Sequence, residues 1–194
     1  MNFVGLGFPH NRTVKGTLRV ARAPYLYVRH IVKMQTRTFP FSPKSAASLQ
    51  LGDFWPIKLD DGRYACGRVI GWWPKDYKGH KKGFLGGLLN WCSDSEPTFE
   101  SIAKATVIIQ GGTDTNSLAA IWSQIVGNRP LELDKIKAEI FIEYPDNKTA
   151  YIYHGLEPIR PAKGSEIEKY QTVYIFGRLY LQARANHEFS AKHA

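Results

Sequence analysis

The stretch GDFWPIKLDDGRYACGRVIGWW, residues 52–73, carries the strongest local structural signal in the chain. Two runs rich in apolar and aromatic residues flank the pair Asp61-Gly62. This pair favours a two-residue type I′ turn, because that turn needs positive φ at both central positions. The stretch therefore predicts a β-hairpin with these facing pairs: Asp60 and Arg63, Leu59 and Tyr64, Ile57 and Cys66, Trp55 and Arg68, and Asp53 and Ile70.

The predicted register assigns the side chains of the hairpin to two faces, because directly opposed residues share a face. Arg68 is expected over Trp55 and diagonal to Asp53, at the rim of the hairpin, in a cation–π contact or a small ion pair. Pro56 has no N–H to donate, so its side of the strand should face an edge or a bulge. The face expected in the core holds Trp55, Ile57, Leu59, Tyr64, Cys66 and Ile70. The opposite face holds Phe54, Pro56, Lys58, Ala65, Gly67 and Val69.

Further short elements follow the hairpin along the chain. The apolar run 84–92 predicts a central strand, with Gly86-Gly87 as a bulge or a point of close approach. The other patterns predict a short helix at 95–103, a strand at 106–110 that ends in a turn at Gly111-Gly112, a short amphipathic helix or a strand at 118–125, a second hairpin at 138–154 and a last strand at 172–183.

These elements predict an α+β fold that is mainly antiparallel β: a small, partly closed, barrel-like sheet with one or two short helices. Hydrophobic residues make up 43% of the chain, which is enough to bury a core. Apolar runs fall short of the roughly 18–20 residues that span a bilayer, so we expect no membrane association. The predicted organisation is a basic extension at 1–33, an entry loop at 34–48, one domain at 49–185 and a frayed tail at 186–194.

The formal net charge of +9 is unevenly distributed along the sequence. Residues 1–33 contain six basic residues and no acid, whereas the rest of the chain, with 20 basic and 17 acidic residues, has a net charge of +3. Three interpretations of this basic segment stay open. In the first, it is an extension that is poorly ordered, or that results from a translation start assigned too early, with the true start at Met34. In the second, it is an ordered accessory segment. In the third, it is an arm that binds nucleic acid.

The sequence contains no recognisable catalytic constellation. Motifs of serine hydrolases, zinc proteases, phosphate-binding loops and zinc deaminases are missing. The two cysteines, Cys66 and Cys92, lie in apolar runs that favour inert, reduced thiols over a disulfide or a nucleophile. The six histidines are scattered, so no metal site is predicted. We therefore expect a protein that is not an enzyme and needs no cofactor.

A basic aromatic loop follows the hairpin at 72–83, with the sequence WWPKDYKGHKKG. The loop contains four lysines, three aromatic residues and a single acid, Asp76. Such a mixture contacts nucleic acid, serves as a protein–protein hot spot, or forms an ordinary solvated loop, and the residues alone leave all three open. The candidate partner-binding residues are Trp72, Trp73, Lys75, Tyr77, Lys78, Lys81 and Lys82.

A longer motif extends through the hairpin. It begins with Gly-Asp, continues with an apolar strand and an Asp-Gly turn that is followed by a basic residue and Tyr, and ends with Gly, a basic residue and Val. Its residues are Gly52, Asp53, Phe54, Ile57, Leu59, Asp61, Gly62, Arg63, Tyr64, Gly67, Arg68 and Val69. This motif resembles the immunity protein 26 family of bacterial polymorphic toxin systems. A second, weaker match holds Trp122, residues 125–128, Pro130 and Leu131, so the resemblance covers 49–131.

The resemblance implies a cytoplasmic, non-enzymatic inhibitor that binds a cognate toxin domain and covers its active site or substrate groove. Specificity is expected in exposed loops, and the basic aromatic loop is the first candidate for toxin contact. The competing hypothesis is a small β-barrel module that binds nucleic acid through its basic residues. Because a hairpin needs the matched residue types, structural roles are expected for Gly52, Asp53, Asp61, Gly62, Arg63, Tyr64, Gly67, Arg68 and Val69.

Overall fold

The predicted hairpin opens a larger antiparallel sheet in the computed structural model of the chain. The structure describes residues 37–76, 81–145 and 148–190, so the predictions for 1–33 lie outside the described residues. The strands are β1 Asp53–Lys58, β2 Tyr64–Trp72, β3 Gly83–Ser93, β4 Val107–Asp114, β5 Gly127–Asn128, β6 Ile140–Glu143, β7 Tyr151–His154, β8 Glu157–Pro161 and β9 Tyr174–Ile175. The helices are α1 Thr115–Ala120, α2 Gly164–Ile167 and α3 Tyr180–Ser190, with short 3₁₀ turns at Ala46–Ser48 and Leu131–Asp134.

The strands form two sheets. Six of them have the order β5-β1-β2-β3-β4-β9, and the other three have the order β6-β7-β8. Neighbouring strands are antiparallel except for the pair β4–β9, which is parallel. The larger sheet ends at β5 and β9, so the described strands form an open sheet and not a closed barrel. The β-rich α+β class is confirmed, as are the central position of β3 and the second hairpin, β6–β7.

The main hydrophobic core combines strands β1–β3 with α1 and α3. Its buried members include Trp55, Ile57, Val69, Phe84, Leu88, Leu118, Leu181, Ala185 and Phe189. A second cluster joins the two sheets and includes Ile70, Leu85, Phe141 and Leu156. A third, smaller cluster contains Phe54, Cys66, Leu89 and Ile102. Burial of apolar surface in such clusters is the dominant favourable contribution to folding.

The turn of the first hairpin is one residue longer than predicted. Lys58 pairs with Tyr64, which leaves Asp60–Gly62 as a three-residue loop beyond the Leu59–Arg63 pair. The N–H of Gly62 donates to the Leu59 carbonyl (3.1 Å), and Gly62 has φ of 90°. This is the arrangement of a type I turn closed by a left-handed glycine. The glycine requirement was therefore predicted correctly, whereas the loop length and the register were wrong by one residue.

The corrected register changes which side chains meet across the hairpin. Trp55 faces Gly67, and Phe54 faces Arg68, so the predicted cation–π contact between Arg68 and Trp55 is wrong. A Cβ atom on Gly67 would lie 2.1 Å from Cε2 of Trp55, so the indole occupies the space of the missing side chain. Trp55 also meets Phe84 edge to face, with ring centroids 5.8 Å apart. Gly67 therefore allows Trp55 to enter the core.

Gly67→Ala should destabilise the protein by about 1–3 kcal/mol, because the new methyl group forces the buried indole of Trp55 out of its position. Urea denaturation with tryptophan fluorescence measures the loss. Gly164→Ala is the matched control, since a Cβ atom there meets nothing within 4 Å. Equal stability of the two variants would contradict this packing account.

Arg68 lies in a buried ionic cluster and not at the rim of the hairpin, which corrects the prediction. Its Nη1 donates to Oδ2 of Asp134 (2.7 Å), and both side chains are fully buried. Nε of Arg129 donates to the same oxygen (2.9 Å). Arg68 also donates to the carbonyls of Arg129 and Pro130, and the N–H of Lys104 donates to the second carboxylate oxygen of Asp134 (2.8 Å). The cluster therefore ties β2 to the chain segment 129–134.

Stability should fall in acid because Asp134 must stay ionised. Burial would raise the pKa of its carboxyl, but hydrogen bonds from Arg129, the Lys104 N–H and Arg68 outweigh burial and lower the pKa to about 2. A pKa depressed by folding adds stability above the unfolded value of about 4 and loses it as the pH falls toward 2. Urea titrations give the free energy of unfolding of the wild type and of Asp134→Ala, and the difference between the two should become smaller below about pH 4. A difference that does not change with pH would contradict this prediction.

Asp53 is a second buried acid, and it organises the start of the domain. Its carboxylate accepts both terminal nitrogens of Arg37 (2.6 and 2.8 Å) and the side-chain amide of Asn128 (2.8 Å). It also accepts the N–H of Gln50 (2.8 Å). One side chain in β1 thus holds the entry segment, the turn before β1 and the edge strand β5 together.

Four local predictions after β3 are wrong. Residues 95–103 form turns and not a helix, and β4 runs through Gly111-Gly112, where a turn was predicted. At 118–125, where a short amphipathic helix or a strand was predicted, the structure has helix α1 with different bounds. Asp114 caps its start by accepting the N–H of Ser117 (2.8 Å), and the chain leaves the helix after Ala120. The strand predicted at 172–183 is reduced to β9.

Helix α3 replaces most of that predicted strand and includes 186–190, which was assigned to a frayed tail. Its buried residues, Leu181, Ala185 and Phe189, recur every four positions, which is the spacing of one helix face. The side-chain oxygen of Asn186 accepts the N–H of Asp60 (2.9 Å), and Gln182 donates to the Lys58 carbonyl (2.9 Å). The first hairpin and the last helix are therefore joined by both core packing and hydrogen bonds.

Candidate partner-binding surface

The stem of the basic aromatic loop is well defined where it leaves the sheet. Trp72 ends β2, pairs with Phe84 of β3 and is 39% exposed. Trp73 is half-buried and packs against β4 at Gly112. Lys75 is exposed, whereas Tyr77 and Lys78 lie outside the described residues. Of the two tryptophans, Trp72 is therefore the more exposed to solvent.

The two lysines at the far end of the loop lie beside the start of α1. The Lys82 carbonyl accepts the N–H of Thr115 (3.1 Å), and Nζ of Lys82 donates to Oδ1 of Asn116 (3.0 Å). The Lys81 carbonyl accepts the N–H of Ala46 (2.9 Å), which brings the exposed Lys44 to the same part of the molecule. We name Lys44, Lys81 and Lys82 the lysine surface.

A cleft of about 450 Å³ separates the loop stem from the three-stranded sheet. Trp72, Trp73 and Lys75 form one wall, and His154 and Glu157 belong to the other. The cleft thus combines aromatic, basic and acidic groups on elements that both sheets hold in place.

Trp122 lies near the lysine surface, at the other end of α1, and its side chain is 94% exposed. A cleft of about 320 Å³ on one side is lined by Pro43, Thr115 and Ala119 among others. A cleft of about 400 Å³ on the other side includes Lys58 and Tyr64. Both clefts have Trp122 in their lining.

Apart from Leu59 and Tyr64, the residues of the hairpin motif do not line the clefts beside Trp122. Arg63 donates to the carboxylate of Asp61 across the turn (2.8 Å), and Tyr64 lines the cleft of about 400 Å³. Gly52 has φ of 84° and lies against the carbonyl of Arg129. The remaining motif residues, which are buried except for the turn glycine, are Asp53, Gly62, Gly67, Arg68 and Val69.

Neither cysteine has the properties of a catalytic nucleophile. Both are free thiols, with Cys66 buried in β2 and Cys92 half-buried in β3. Burial raises the pKa of each thiol above its ordinary value, which disfavours the reactive thiolate. Among the described residues, no group of three His, Cys, Asp or Glu could hold a metal ion.

A comparison with known families identifies the chain. The family model described as Immunity protein 26 matches residues 50–146, which is half of the 194 residues. The chain belongs to the immunity protein 26 family. The match confirms the resemblance seen in the hairpin motif. A search of the curated proteins and a search of the solved structures found no match.

The part that matches the immunity protein 26 family holds the chief features of this surface. It includes the hairpin, the buried ionic cluster, the loop stem, α1 and Trp122. Strands β7–β9 and helix α3 follow the matched part. No helix in the described ranges is long and apolar enough to cross a membrane.

Sequence reasoning missed two groups of this surface. Lys44 lies outside the loop and joins the lysine surface only through the backbone contact of Ala46 with Lys81. Trp122 belongs to the apolar spacing Leu118, Ile121, Trp122 and Ile125 of the predicted amphipathic helix, so it was not among the candidate partner-binding residues. Helix α1 ends at Ala120 and Trp122 follows in the left-handed conformation, which leaves its side chain exposed. The sequence has no glycine or proline at that position to indicate the end of the helix.

Proposed function

We propose that this protein binds and neutralises a cognate bacterial toxin domain in the cytoplasm by covering its active site or substrate groove. Membership of the immunity protein 26 family carries this proposal. The mode of action is inhibition by binding, without a reaction of its own. The raised thiol pKa values of Cys66 and Cys92 support the non-catalytic part of the proposal.

The basic aromatic loop and the lysine surface supply the chemistry for such a contact. Trp72 offers apolar area, and the exposed lysines Lys75, Lys81 and Lys82 offer positive charge. Exposed aromatic residues dominate the binding energy of many interfaces, and complementary charge accelerates association with an oppositely charged partner. We therefore propose that the toxin presents an acidic surface to this end of the molecule.

Co-expression tests the function directly. Where the gene directly upstream encodes a large secreted protein, the C-terminal domain of that protein is the probe, expressed in bacteria with and without this chain. The proposal expects growth to stop with that domain alone and to recover when both proteins are present. Growth arrest that persists while this chain accumulates in folded form would contradict it.

Nucleic-acid binding is the second candidate, and the exposed lysines beside Trp72 favour it. Binding driven by phosphate contacts must weaken steeply between about 50 and 200 mM salt. A gel-shift assay with single-stranded DNA and RNA over that range decides the question. Absence of binding at the low-salt end would eliminate this candidate.

A further inference from the structure

We infer that Trp122 is the central anchor of a toxin-binding surface formed by α1 and the two clefts beside it. The inference rests on the proposed function and adds the place and the chemistry of the contact. Trp122, which is 94% exposed, lies between two clefts in the part of the chain that matches the family.

The backbone holds Trp122 in a conformation that suits glycine. Its φ is 54°, in the left-handed region. Its N–H donates to the carbonyl of Ala119 (3.1 Å), and the N–H of Ser123 donates to the carbonyl of Leu118 (3.0 Å). These two bonds form a Schellman motif, in which glycine is the usual residue at the position that Trp122 occupies.

Tryptophan at this position does not stabilise the fold. A tryptophan in the left-handed region is strained, and its exposed indole gains nothing from core burial. A backbone outlier of this kind supports a functional interpretation when the surrounding structure holds it firmly. The folded protein is therefore less stable with tryptophan at position 122 than it would be with glycine. This loss of stability indicates that the Trp122 side chain has a role other than folding.

The surroundings of Trp122 are rigid. The hydroxyl of Ser123 donates to the carbonyl of Pro56 in β1 (2.6 Å), and Ser123 is buried. Leu118 and Ile125, on either side along the chain, are buried in the main core. The indole is thus presented from a fixed backbone, and a group fixed before binding loses little conformational entropy in the complex.

The linings of the two clefts and the nearby lysines indicate the chemistry of the partner. The cleft of about 400 Å³ contains one base, Lys58, and one acid, Glu96, so it adds no net charge. The cleft that contains Ser42, Pro43, Thr115 and Ala119 has no charged residue in its lining. At its far end the N–H of Thr115 is bonded to Lys82, so the lysine surface continues this cleft. The partner is therefore a protein surface with an apolar pocket for the indole and acidic side chains beside it.

One partner can cover both groups at the same time. The six residues of α1, at 1.5 Å per residue, separate Trp122 from the lysine surface by about 9 Å. A standard interface of about 800 Å² per partner extends well beyond that distance. Trp122 would then fill the apolar centre, and Lys81 and Lys82 would lie at the charged rim.

Trp122→Gly separates binding from folding. The full-length protein is titrated with the C-terminal domain encoded directly upstream, and its melting temperature is measured in parallel. We expect the variant to melt at or above the wild-type temperature, because glycine relieves the left-handed strain, and its Kd to rise at least about 30-fold. Ile159→Ala, which trims another exposed apolar side chain (57% exposed), should leave Kd unchanged.

Each outcome bears on a different claim. Binding by Trp122→Gly within about threefold of wild type overturns the anchor role and leaves the proposed function intact. Absence of binding by the wild-type protein overturns the proposed function itself. Concentration-dependent dimerisation that the wild type shows and Trp122→Gly loses would assign the surface to a second copy of this chain and overturn the toxin assignment.

Discussion

Asp134→Ala should lower the free energy of unfolding by about 3–5 kcal/mol, because it leaves two buried guanidinium groups without their counter-ion. Arg68 has a fully buried side chain, and its ion-pair partner is Asp134. Arg129 keeps a contact with the ring of Phe99, 4.6 Å from its centroid, but loses the same carboxylate. The backbone N–H of Lys104 also loses its acceptor. Urea denaturation followed by circular dichroism measures the change.

An exposed ion pair provides the control for this experiment. Arg160 and Glu166 form a 2.6 Å contact, but the Arg160 side chain is 45% exposed. Water and salt screen such a pair, so Arg160→Ala should leave the denaturation midpoint nearly unchanged. If Asp134→Ala were as stable as Arg160→Ala, the buried cluster would not be a source of stability.

Lys81→Glu combined with Lys82→Glu should weaken toxin binding by about 100-fold or more, because like charges across an interface cost several kcal/mol. Both lysines are exposed and adjoin α1, so the reversal should leave the melting temperature close to that of wild type. The association rate should fall most, and raising the salt concentration should narrow the difference from wild type. Surface plasmon resonance at two salt concentrations measures both rates.

A charge-matched control shows whether the change in net charge alone explains the loss of toxin affinity. Lys137→Glu with Lys169→Glu makes the same change at two exposed sites away from α1. This control should bind the toxin domain with nearly wild-type affinity. If both double variants lose affinity equally, a long-range effect of net charge explains the loss and the lysine surface does not.

The sequence was informative where local chemistry decides the structure. Asp61-Gly62 marks the turn because few residues other than glycine adopt the φ of 90° found at Gly62. Alternating apolar residues indicated the strands. The loop length escaped prediction, because two-residue and three-residue hairpin loops accept nearly the same sequence. That single residue moved Arg68 from the expected side of the hairpin to the opposite one.

Partners that lie far apart in the sequence could not be predicted. Arg68 and Asp134 are 66 residues apart, and no local pattern indicates that they meet. The run 172–183 is apolar enough for a strand, and only the packing of Leu181, Ala185 and Phe189 on the main core favours helix α3. The exposure of Trp122 likewise depends on where α1 ends, and no glycine or proline in the sequence marks that end.

Titration of the purified full-length protein with the upstream-encoded toxin domain tests the central claim most directly. Calorimetry gives the stoichiometry and Kd, and an assay of the toxin's activity on the same samples gives the degree of inhibition. We expect a 1:1 complex with submicromolar Kd, full loss of toxin activity at one equivalent, and a Kd at least about 30-fold higher for Trp122→Gly. Toxin activity that persists at saturating concentrations of the folded protein would contradict it.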